Sequence, residues 1–245
     1  MRIRSALQVF AHLIGDAFRL LPRKKRFAAA RRIALVIAPL LRRSPYYARR
    51  PSPIDGPREE ALRMVLRMMT RARVKFDPDV EILGRELLPD GAFLIVSGHF
   101  LLNITMSRWI FDAGRRLTVS LGGPREPMYY SGTNVPLPYR YSGQQILVQL
   151  RTDLAEGSIC FIAIEVDFTM EGWIAVDTLA GRRYVSSSAF AFAQRTATPV
   201  LFAATYLNGE GRLVVTYERP HSDDPAAMTD EFVEFLQRHI AAIER

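Results

Sequence analysis

One histidine of this chain stands where an imidazole can do chemistry. The run Ser97-Gly98-His99-Phe100 closes a continuous apolar stretch, Ala92 to Ser97, bounded by Gly91 and Gly98. Such a stretch reads as a buried strand, and its carboxyl end is where α/β folds place their ligand crevices. Gly98 would let the backbone turn sharply. A neutral imidazole facing the crevice can then act as a general base. A histidine packed at a helix start and hydrogen-bonded locally would leave the same trace in sequence.

Most other chemistry-bearing patterns are missing from the 245 residues. There is no Gly-x-Ser-x-Gly elbow, no phosphate-binding Gly-x4-Gly-Lys-[Ser/Thr], no Gly-x-Gly-x-x-Gly after a strand and no His-Glu-x-x-His. A single cysteine, Cys160, rules out an intramolecular disulfide, and the four histidines have no metal-ligand spacing. The sequence therefore calls for no metal and no cofactor. Asn103-Ile104-Thr105 matches a glycosylation triplet by chance, inside an expected helix.

A positioned histidine needs a scaffold, and the composition supplies one. With 49% hydrophobic and 24% charged residues, the chain is long enough for one large domain or at most two small ones, and disorder and collagen are excluded. The pattern predicts strands over 80–84, 92–97, 117–121, 158–164, 200–206 and 212–218, with an extended piece over 173–179. Helices are expected over 57–75, 101–113, 141–155, 187–195 and 229–243. A long Pro/Gly/Tyr-rich loop over 122–139 is more often functional than idle. Strands alternating with helices imply an α/β fold, its central sheet mostly parallel and flanked by helices.

Charge divides the chain. Residues 1–75 hold 19 of the 33 Lys and Arg and 4 of the 25 Asp and Glu, so the rest is a mildly acidic globule. The basic segment is also apolar. Ser5 to Leu21 reads as an amphipathic helix ended by Pro22, then Arg23-Lys24-Lys25-Arg26 leads to a second apolar stretch, Ile33 to Leu41. Pro45, Pro51, Pro53 and Pro57 with Gly56 mark a linker over about 44–57. We expect a basic helical membrane-facing region over 1–75, with no transmembrane span, and an α/β domain over 76–245. An ordinary solvated helix face and a nucleic-acid arm are the other readings of the segment, and no nucleic-acid motif supports the second. Arginines interrupt the apolar stretches, which speaks against a cleaved signal peptide.

Several blocks, in order, carry a resemblance. Glu81-Ile82-Leu83-Gly84-Arg85-Glu86-Leu87-Leu88 followed by Gly91 to Phe100 resembles the approach to the active histidine in the late-step lipid A biosynthesis acyltransferases. These are the lauroyl/myristoyl transferases of the lysophospholipid acyltransferase superfamily. Leu154-Ala155-Glu156-Gly157, the apolar Ile159 to Ile164 and Glu165-Val166-Asp167 are similar to that family's Leu-x-x-Gly, strand and Asp-Gln-Asp stretch. Leu179-Ala180-Gly181, Ser186 to Ala193 and Arg195-Thr196-Ala197-Thr198-Pro199-Val200 resemble its Phe-Phe-Gly, small-residue helix and Thr-Gly-Ala-Pro-Val block. The resemblance spans about residues 75–220. It implies a glycerolipid acyltransferase-like fold and acyl transfer from an acyl carrier protein or coenzyme A thioester to a lipid or other amphipathic acceptor. The setting it implies is the cytoplasmic face of the bacterial inner membrane.

The family's histidine is followed five residues on by Asp or Glu, and here that position is Ile104. Three repairs are open. Asn103 could hold the ring tautomer, Glu165 or Asp167 could supply the carboxylate from a neighbouring strand end, or nothing replaces it. In the last case the chain is a catalytically degenerate homologue that binds acyl chains or membrane lipid, or scaffolds partner enzymes. The candidate catalytic set is therefore His99, Glu165 and Asp167, and the candidate substrate-binding set is Gly98, Asn103, Arg140 and Gly181. A surface arginine is as good a reading of Arg140 as a phosphate ligand. A solvated strand end is as good a reading of Glu165 and Asp167. The sequence says nothing of oligomeric state.

Overall fold

The computed structural model describes residues 15–43, 56–100, 102–121, 128–141, 145–168, 171–179 and 181–243. Most of the expected helix over 5–21, nearly all of the linker over 44–57 and part of the loop over 122–139 lie outside the described residues. The strands are β1 (Val80–Leu83), β2 (Leu94–Ser97), β3 (Leu117–Leu121), β4 (Tyr139–Tyr141), β5 (Ile159–Ala163), β6 (Glu165–Val166), β7 (Ile174–Thr178), β8 (Gly181–Val185), β9 (Val200–Leu207) and β10 (Leu213–Glu218). The helices are α1 (Arg23–Arg42), α2 (Pro57–Arg71), α3 (Ser107–Asp112), α4 (Ile146–Ala155), α5 (Ser188–Thr196) and α6 (Pro225–Ile243).

Seven strands form the main sheet in the order β1-β10-β9-β2-β5-β3-β4. The run from β9 to β4 is parallel, while β10 lies antiparallel to β9 and parallel to β1. Parallel strands are covered on both faces, which is why β2 and its approach are apolar up to Ser97. Alternation splits them. Leu94 and Val96 join Cys160, Phe190, Phe202 and Phe232 in a core under α4, α5 and α6. Phe93 and Ile95 join Ile110, Leu117, Phe161 and Tyr217 on the face of α3.

The basic helices cover the third part of the core. Phe27, Ala30, Ala34 and Ala38 recur on one stripe of α1 and are buried with Leu62, Val65 and Met69 of α2, together with Leu207 and Leu213 of β9 and β10. Three alanines four residues apart let the two helices approach closely. Burial of Phe27 alone is worth roughly 2 kcal/mol.

Three expected helices are shorter than the pattern predicts, the first of them, α2, ending at Arg71. Residues 103–106 form a 3-10 turn before α3, because the hydroxyls of Thr105 and Ser107 donate to the carbonyls of Leu102 and Ile104 and compete with α-helical bonding. Tyr141 belongs to a strand and the helix begins at Ile146, because Tyr139, Arg140 and Tyr141 pair with Val119, Ser120 and Leu121 and extend the sheet. The pattern also missed β6 and β8, which with β7 make a separate antiparallel sheet in the order β6-β8-β7.

Candidate active site

β2 and β5 are adjacent and parallel, with Ser97 opposite Ala163. Two residues beyond each of these partners come His99 and Glu165, so the register that pairs the strands also sets the two side chains beside each other. The chain leaves β2 toward α3 on one face of the sheet, and after β5 it continues through β6, β7 and β8 to α5 on the other. Adjacent strands whose connections part in this way open a crevice at their carboxyl ends.

Glu165 Oε2 lies 3.4 Å from His99 Nδ1. The same oxygen accepts a hydrogen bond from the His99 backbone N–H at 3.1 Å. The imidazole side chain is 55% exposed and the carboxylate 1% exposed, so a ring open to a substrate is backed by a dry anion. With Nδ1 turned to Glu165, Nε2 lies on the far side of the ring.

Asn103 does not meet the ring. Its Nδ2 donates to the Gly98 carbonyl at 2.9 Å and to Ser97 Oγ at 3.1 Å, and Ser97 Oγ in turn donates to the Ala203 carbonyl of β9. This chain of bonds braces the turn from which His99 projects, with Gly98 buried inside it. Ile104, at the acid position of the resembled family, packs half-buried against the apolar cluster that includes Phe93 and Ile95. Asp167 is exposed beyond the end of β6, and the ion pair to His99 comes from Glu165 instead.

Arg140 and Gly181 lie elsewhere. Arg140 on β4 makes a bidentate pair with the buried Asp153 of α4, Nε to Oδ2 at 3.0 Å and Nη2 to Oδ1 at 2.8 Å. Those bonds raise its pKa above the ordinary arginine value. Gly181 opens β8 with φ of 92°, and nothing lies within 4 Å of where a Cβ would stand, so its backbone rather than a close neighbour favours glycine. Four residues of strand, roughly 13 Å, separate it from Val185, the partner of Glu165.

Sequence reasoning missed Arg183. Its Nη1 stands 3.3 Å from Glu165 Oε1, and both side chains are buried. The only hint was a pair of adjacent arginines, Arg182 and Arg183, ahead of Tyr184 and Val185. Cys160 on β5 is no nucleophile, since burial pushes its thiol up to about 12 and keeps it neutral. Among the described residues no group of three or more His, Cys, Asp or Glu could hold a metal ion.

No family model and no curated protein matches the chain. Among solved structures it is similar to the 1-acyl-sn-glycerophosphate (LPA) acyltransferase, PlsC, from Thermotoga maritima, with 15% sequence identity and a TM-score of 0.44 over 91% of this chain and 98% of that one. A likeness of that degree leaves both family and activity to be argued from the α/β fold and the residues at its crevice.

Proposed function

We propose that the chain is an acyltransferase, moving a fatty acyl group from an acyl carrier protein or coenzyme A thioester to a hydroxyl or amine of a lipid or other amphipathic acceptor. The observation that carries this reading is the pairing of His99 with Glu165 at the carboxyl ends of adjacent central strands. His99 Nε2 takes the proton of the acceptor group as that group attacks the thioester carbonyl. The imidazolium so formed is offset by Glu165 across the ring. Collapse of the tetrahedral intermediate forms the ester or amide and breaks the carbon–sulfur bond, and the departing thiolate takes the proton back. No cofactor is needed for these steps.

The finer assignment, a late-step lipid A type of acceptor at the cytoplasmic face of the bacterial inner membrane, rests on the resemblance of residues 75–220. α1 adds support for a lipid surface. Ile33, Val36 and Leu40 are exposed there beside Lys24, Lys25, Arg32 and Arg43, a mixture suited to an anionic headgroup boundary. Among the described residues no helix is long and apolar enough to cross a membrane, so the contact we propose is peripheral.

The test is transfer of radiolabelled acyl groups from carrier-protein and coenzyme A thioesters into a bacterial lipid extract, with His99→Ala as control. Label entering lipid with the native chain and lost in the variant is the expected result. No transfer from either donor, with membrane binding kept, would favour the lipid-binding homologue without turnover.

A further inference from the structure

The β7–β8 hairpin sorts two neighbouring arginines to opposite faces. Arg182 stands across from Asp177 and pairs with it in solvent, Nε to Oδ1 at 2.9 Å. Arg183, one residue on, shares the inner face with Val176 and Val185, both buried. Val185 is the partner of Glu165 across the β6–β8 ladder, so Arg183 is the diagonal neighbour of that carboxylate on the same face. This small sheet thus carries a cation to the back of the acid that faces His99.

We propose that Arg183 is a positioning residue that aims Glu165 at His99 and thereby fixes the ring with its proton on Nδ1. The inference rests on the acyl-transfer reading of the same site and deepens it. A carboxylate is planar, so a cation holding Oε1 at 3.3 Å fixes the direction in which Oε2 points. Oε2 then meets both the backbone N–H and the ring Nδ1 of His99. Among the described residues Oε1 accepts no hydrogen bond of standard geometry, so its restraint is charge against charge. Losing Arg183 would leave Glu165 free to turn, and Nε2 would no longer be the fixed basic nitrogen.

The experiment uses the full chain with ¹⁵N-labelled histidine. The ring of His99 is identified by its loss in His99→Ala, and its tautomer is read from the ring nitrogen shifts. Turnover is read on the same samples with the carrier-protein thioester and lipid extract. The native ring is expected to carry its proton on Nδ1. Arg183→Met should lose that fixed form and lower kcat about 10- to 100-fold, with KM moved less than about threefold. Arg183→Lys should recover most of both.

Because Arg183→Met leaves a buried charge alone, the double variant Glu165→Gln/Arg183→Met guards against simple unfolding. It should melt near the native temperature yet show neither the fixed tautomer nor native turnover. A native tautomer and native kcat in either the single or the double variant, folded, would overturn the proposal. An Arg183-dependent tautomer in a chain that transfers no acyl group would support the positioning role and sink the acyl-transfer reading. Transfer that ignores Arg183 would do the reverse.

Discussion

Ile104 stands five residues after His99, where the resembled family carries its acid, and it packs half-buried among apolar side chains. An acid there would meet an apolar cluster, whereas Glu165 reaches the ring from the next strand. Ile104→Glu is therefore expected to restore nothing and to destabilise the fold by about 2 kcal/mol, read by thermal melting and the transfer assay. A rise in kcat would mean that the ring can turn toward residue 104 and that Glu165 is not its partner. His99 was legible because a histidine after a glycine at the end of an apolar run is a local pattern. Glu165 was legible only as one of two candidates. Glu165 is buried because it opens β6, a two-residue strand with no periodicity of its own, whereas Asp167 is exposed beyond the end of that strand. Arg183 was not legible, since which of two adjacent arginines faces inward is settled by cross-strand pairing alone.

Among the elements, the parallel strands and the amphipathic helices announced themselves through continuous apolar runs and helical spacing. Residues 103–106 and 139–141 did not, because hydroxyl-to-carbonyl bonds in the first and pairing with β3 in the second override the local preference. α2 carries a cost in its first turn, where Glu59 is buried. Burial holds its carboxyl above the ordinary value, against the opposing pull of backbone N–H groups including that of Leu207. A raised folded pKa means that stability falls as pH climbs from the unfolded carboxyl range through the folded value, and the full penalty is present above it. Glu59→Gln keeps an oxygen for the Leu207 N–H and removes the charge. It is expected to stabilise the protein at neutral pH by on the order of 1 kcal/mol, a gain that disappears below about pH 4. Melting curves at the two pH values check this, and equal gains at both would assign the effect to packing.

At the scale of the whole molecule, the basicity is concentrated in the helices that cover one end of the core. α1 is held from beneath by Phe27, Ala30, Ala34 and Ala38, and its opposite side leaves Val36 73% and Leu40 66% exposed. The pair Val36→Asp and Leu40→Asp is expected to weaken binding to anionic vesicles at least about tenfold while leaving the melting temperature near native. Co-sedimentation across a salt series measures it, and binding that ignores both the substitutions and salt would remove α1 from the membrane contact. The α/β class, the order of the main elements, the charge division and the histidine could all be read from the chain, because each is written in local periodicity and composition. Three-dimensional packing alone places Glu165 beside that histidine, Arg183 behind Glu165, and Arg140 against Asp153. Those contacts join residues dozens of positions apart or depend on which face of a strand turns inward, and strand register, not local sequence, chooses them.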